Sequence, residues 1–150
     1  VSSAASDVYK RQDMYWVEDR LGPERSKYAY AWRSLLDSGA RLSLGSDFPV
    51  EQVNPMLGIH AAITRQDTKG WPQGGWNAQE KLSRDEAVRG FTLVAAYAGF
   101  MEESVGSLES GTRADFIILN QKIFEIEASK IVDTTVLQTW LDGELVYSYP

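Results

Sequence analysis

The sequence has no cysteine and a single histidine, His60. The first absence removes disulfides, thiolate nucleophiles and cysteine-based zinc sites. The second leaves too few imidazoles for a catalytic zinc centre built within the chain, because such a centre takes three protein ligands, mostly histidine. No apolar run approaches the ~20 residues that a membrane-spanning helix needs. Basic residues are outnumbered: 15 Lys and Arg face 21 Asp and Glu, giving a formal charge of −6. With no Lys/Arg cluster to offset this, a nucleic-acid backbone is disfavoured as a partner, since that contact needs a basic face. What remains is a chain of 150 residues, 43% hydrophobic and 24% charged, the composition of a globular domain.

Residues 1–12, "VSSAASDVYKRQ", show no apolar periodicity and lack the apolar core of a signal peptide. They resemble the translated sequencing-adapter sequence found prefixed to metagenomic fragments; an ordinary frayed tail is the alternative. They are expected to be a non-native or disordered leader, with the native gene starting further upstream.

From Arg25 to Ser38 the residues Tyr28, Ala31, Trp32, Leu35 and Leu36 recur at helical spacing, and Gly39 supplies a C-cap. "ARLSL" (40–44) reads as a strand, so helix, glycine and strand form half of a parallel βαβ repeat. Asn54-Pro55 then opens a helix to about Arg65. Residues 66–81 hold three glycines and a proline and read as a long exposed loop. Ser83 to Glu86 matches a capping box, opening a helix that ends at Gly99. Beyond Val105 the pattern turns to strands, with "ADFIIL" at 114–119 and two strands flanking Asp142-Gly143, a strong hairpin signal. The chain therefore divides near residue 104 into an α/β part and a β part.

Asp47, in "LGSDFPV", closes the turn after the 40–44 strand. In parallel α/β architectures functional groups collect at the C-terminal ends of strands. An aspartate there is either a metal ligand and proton acceptor or a turn residue bonding nearby backbone N–H groups. His60 sits beside Ile59 and Ala61 and reads as a buried core histidine. Trp71 and Trp76 read either as a lid or wall giving substrate an apolar surface, or as packing for their loop. Arg65, ending its helix, favours the dipole and is a candidate for a substrate carboxylate. Asp115 reads as a structural turn or hydrogen-bonding residue, and Glu102 and Glu103 as a solvated helix end.

"LLDSGARLSLGSDFPVEQVNPMLGIHAAITR" resembles the last barrel strand and following loop of metal-dependent amidohydrolases of the amidohydrolase 3 family. "LSRDEAVRGFTLVAAYAGFMEESVGSLESGTRADFIIL" resembles the segment that follows in the same family. The resemblance covers residues 13–150 and implies an α/β fold. Residues 13–104 would be the C-terminal part of a (β/α)8 TIM-like barrel, and 105–150 the C-terminal strands of a small β-sandwich. It further implies that Asp47 ligates a divalent metal, zinc first, and accepts a proton from the metal-activated water that attacks an amide-type C–N bond. The partners implied are a small-molecule amide-type substrate and the missing N-terminal part of the same chain.

The departures are substantial. The family's His-x-His pair, its bridging lysine or glutamate and its two later histidines would all precede residue 13 and are absent from this sequence. Ser110-Gly111-Thr112 stands where relatives often show Pro-Gly-Lys. The chain is accordingly expected to be a C-terminal fragment, inert and free of bound metal when isolated. Two other classes stay open on the residues alone: a non-catalytic α+β interaction module, and a glycoside hydrolase remnant, for which no second carboxylate is fixed opposite Asp47.

Overall fold

The computed structural model describes residues 14–49 and 51–150, together with the backbone of residues 2–3. The leader expected at residues 1–12 lies largely outside the described residues. Within it, however, strand β1 (Ser2–Ser3) runs parallel to β2 (Leu42–Ser43), so these two residues belong to a sheet.

The helix expected over 25–38 is not continuous: α1 (Val17–Ser26), itself kinked at Gly22 (φ 75°, ψ 161°), ends near its start, and α2 (Trp32–Asp37) follows. The chain turns between them, and Tyr30 takes a left-handed φ of 54° that no helix continues through. Tyr28, assigned to the apolar face, is exposed as a result. The strand expected at 40–44 is shorter, two residues, although Leu44 continues its line by donating its N–H to the Gly90 carbonyl at 3.0 Å.

Helix α3 (Pro55–Thr64) begins as its sequence dictates: Asn54 Oδ1 accepts the Met56 N–H at 3.0 Å, and Pro55 occupies a first-turn position that needs no donor. Helix α4 (Arg84–Phe91) carries both bonds of the capping box, Glu86 N–H to Ser83 Oγ and Ser83 N–H to Glu86 Oε2. The single helix expected up to Gly99 breaks at Thr92, whose backbone is not helical (φ −123°, ψ −93°), and resumes as α5 (Leu93–Ala98). Around these elements one core forms from Trp32, Leu42, Leu44, Met56, Ile59 and Ala62, joined by Leu82, Ala87 and Ile131.

The β part holds β3 (Phe116–Leu119), β4 (Val136–Leu141) and β5 (Glu144–Ser148), paired antiparallel in the order β3-β4-β5. The hairpin at Asp142-Gly143 is as expected, with φ of 51° and 79° at the two turn residues. Phe116 stacks on Trp140 across the first strand pair at 5.6 Å. A six-residue 3₁₀ segment (Ala128–Asp133) packs against α3 and places Ile131 in the common core.

Candidate functional site

The direction of the helices beside β2 fixes which loops share an end with Asp47. The Arg41 guanidinium lies 4.0 Å from the Tyr97 ring centre, while Leu44 meets Gly90. Residue 41 thus meets residue 97 and residue 44 meets residue 90, so the two segments pass each other in opposite directions. Helices α4 and α5 therefore run antiparallel to β2. Gly90 permits the close approach, because a Cβ there would lie 2.8 Å from two Leu44 side-chain carbons. It follows that Ser83, where the preceding loop ends, stands beyond the C-terminal end of β2, the end from which Asp47 emerges.

Asp47 itself is exposed and adopts a left-handed φ of 54°, a conformation that aspartate tolerates better than most residues. The turn thus presents its carboxylate to solvent at the strand exit, beside Phe48, which is 65% exposed. Asp47 can offer one oxygen ligand to a cation. Among the described residues, no three His, Cys, Asp or Glu side chains gather where a metal ion could sit. His60 is buried in α3, as its neighbours suggested, and its carbonyl accepts the Thr64 hydroxyl at 2.8 Å. Among the described residues, the donor set fits a single contribution to a metal site.

The loop at 66–82 is exposed over much of its length, as its glycines and proline suggested, and is anchored at several points. Arg65, the left-handed C-cap of α3, is fully buried. Its Nε donates to the Trp76 carbonyl at 3.0 Å and its Nη1 to the Tyr30 carbonyl at 2.9 Å, with the Trp32 and Trp76 rings about 5 Å from its guanidinium carbon. The Trp76 N–H returns to the Arg65 carbonyl at 2.8 Å. Two expected substrate-contacting side chains, Arg65 and Trp76, are therefore buried in the support of the loop and show no face to a ligand. Burying a guanidinium is costly unless it is compensated; here two backbone carbonyls accept from Nε and Nη1, and the Glu80 carboxylate lies near enough to feel its charge.

Three carboxylates complete the anchoring. Asp67 is buried, and burial alone raises a carboxyl pKa; the Tyr15 hydroxyl at 2.5 Å and the N–H groups of Trp71 and Lys69 outweigh this and hold it below the usual range. Glu80 is likewise buried, yet bonds from the Ser34 hydroxyl and N–H, with the nearby Arg65 charge, lower its pKa. Glu86 pairs with Arg33, whose hydrogen bonds hold it at about 2 despite the opposing effect of burial. Trp71, by contrast, stays 48% exposed and stacks on Tyr15 with ring centres 4.8 Å apart and 7° between planes.

Tyr15, Asp67 and Glu80 were not singled out from sequence. A signal existed for one of them: in "DTKG" an aspartate precedes a turn with glycine last, the pattern in which its side chain bonds the N–H two residues on. Elsewhere, an apolar cleft of about 620 Å³ separates α3 and α4 from the β3-β4 surface. Its one carboxylate, Asp115, accepts the Asp142 N–H at 2.7 Å, the turn role read from sequence. Asp47 does not line it.

The chain belongs to the Amidohydrolase family, whose family model matches residues 2–147. It is 35% identical over 135 residues to YtcJ of Bacillus subtilis, whose name describes it as an amidohydrolase; the match covers 90% of this chain and 26% of that protein. It is 33% identical over 115 residues to the N-substituted formamide deformylase of Arthrobacter pascens, covering 77% of this chain and 21% of that enzyme. Its structure is similar to that of a metal-dependent hydrolase from Pyrococcus horikoshii, with a TM-score of 0.72 at 26% identity over 84% of this chain and 25% of the other. The chain thus spans about a quarter of the length of the relatives it matches.

Proposed function

We propose that the chain is the C-terminal portion of a metal-dependent amidohydrolase that hydrolyses a non-peptide C–N bond of the amide type. Residues 13–104 contribute the closing part of a (β/α)8 barrel, and residues 105–150 contribute strands to a small β-sandwich. The observation that carries the reading is the position of Asp47, an exposed carboxylate in a left-handed turn at the C-terminal exit of β2. Family membership supports it, as does the Arthrobacter relative, which is named for removing a formyl group from a substituted amide nitrogen.

In this reading Asp47 gives one oxygen to a divalent metal, zinc first, and takes up the proton released from the attacking water. The metal supplies acidification of that water and polarisation of the substrate carbonyl. The remaining ligands come from chain outside these 150 residues, so the isolated segment is inert. Asp47→Asn keeps the size of the side chain but removes the charge and the proton acceptor. In the intact protein it is expected to lower hydrolysis of amide-type substrates at least a hundredfold, in the range of a lost general base. Full activity in that variant would overturn the assignment.

A further inference from the structure

We propose that residues 66–82 form a prebuilt aromatic wall, presented by the Tyr15–Trp71 stack and positioned by Arg65, that takes a planar group of the substrate. The inference rests on the hydrolase reading above and deepens it by naming a substrate class: amides that carry a flat aromatic or conjugated substituent.

One buried carboxylate holds both rings of the stack. Asp67 accepts the Tyr15 hydroxyl through Oδ2 and the backbone N–H of Trp71 through Oδ1. Gln66 closes the loop from inside, its Nε2 donating to the carbonyls of Gly70 at 2.7 Å and Pro72 at 2.9 Å. Arg65 fastens the base of the loop to the α1–α2 connection, and Glu80 fastens its exit to α2 through Ser34. A lid that opens and closes is drawn from weakly anchored chain. Here the backbone is bonded along its length, while two large rings remain about half exposed. Such a surface loses little freedom when a ring stacks on it, which favours binding. The exit of the loop, at Leu82 and Ser83, stands at the same end of β2 as Asp47. Trp71 touches substrate in this proposal; Arg65 acts only through the loop and is a positioning residue.

Acetanilide and N-cyclohexylacetamide are amides of matched size that differ in the flatness of their ring. Calorimetric titration of the intact protein with each is expected to show about fivefold tighter binding of acetanilide, the scale of one aromatic stacking contact. Trp71→Ala is expected to erase the preference and Trp71→Phe to keep most of it. Arg65→Lys retains the charge but not the fork that reaches two carbonyls. It is expected to lose the preference with Trp71 still in place, and to speed hydrogen exchange across 66–82. Equal affinities or no binding in the parent protein, or a preference that survives Trp71→Ala, would overturn the wall. A preference that survives Arg65→Lys would overturn the role of Arg65, and Trp71→Ala decides the wall itself if that variant does not fold. Hydrolysis by Asp47→Asn is the separate test of the hydrolase reading, because it does not depend on ring preference.

Discussion

The α/β part and the β part of this chain satisfy their chemistry in opposite ways. Up to residue 104, buried polar side chains are numerous and each described one has partners: Arg65 on two carbonyls, Asp67 on three donors, Glu80 on Ser34. Beyond residue 104, Ile131 is the one fully buried large apolar side chain among the described residues, while Ile117, Ile118, Leu145, Val146 and Tyr147 are all more than 40% exposed. Polar anchors fix the position of a loop closely, because an unsatisfied buried donor or acceptor is costly. An apolar sheet surface left open fixes little until something covers it. The region around Asp47 is thus shaped from within the chain, and the sheet is not.

Substitutions sharpen that contrast, beginning with the largest expected effect. Arg65→Ala removes a buried guanidinium and strands two carbonyls. It is expected to destabilise the intact protein by roughly 3 kcal/mol or more, read from the midpoint of urea unfolding. Gly90→Ala pushes a methyl group into Leu44 and should cost about 1–3 kcal/mol, since the contact is with a packed core side chain. Ser83→Ala removes the helix cap and is expected to cost about 1 kcal/mol. In the isolated 150-residue chain, where the sheet surface is open, Leu145→Ala on β5 should change stability by less than about 0.5 kcal/mol, as at an ordinary surface position. A Leu145 effect as large as that of Gly90 would erase the distinction between the two regions.

Acid titration probes the same contrast. Glu86 has a folded pKa of about 2 against an ordinary value of 4.5. A carboxyl with a depressed folded pKa binds fewer protons in the native state, so its contribution is fully present above 4.5 and is lost as pH falls toward 2. Asp67 and Glu80 shift in the same direction and lose their contributions on acidification too. Glu86→Gln is expected to flatten the loss of stability between pH 4.5 and 2, measured by urea unfolding across that range.

Much of the fold was legible because its signals are local. Asn54-Pro55, the Ser83–Glu86 box and Asp142-Gly143 each encode their turn or cap within four residues, and all three formed as read. The break at Tyr30 was not legible. Helical spacing runs through it, and Tyr30 is fixed partly by Arg65, 35 positions away in sequence. The anchoring of 66–82 was hidden for the same reason: its glycines and proline advertise a loop but not the distant partners that hold it. Asp47 stands out in the sequence by its address at a strand exit and its role remains a proposal, whereas Tyr15 and Glu80 carry no local pattern that points to what they bond.

Metal analysis tests the central claim most directly. The intact protein is expected to purify with zinc or another divalent metal and to lose most of it in Asp47→Asn, whereas the isolated 150-residue chain is expected to hold no stoichiometric metal. One tightly bound zinc per isolated chain, or unchanged metal content in Asp47→Asn, would contradict the assignment of Asp47 as one ligand of a site completed by chain outside this segment.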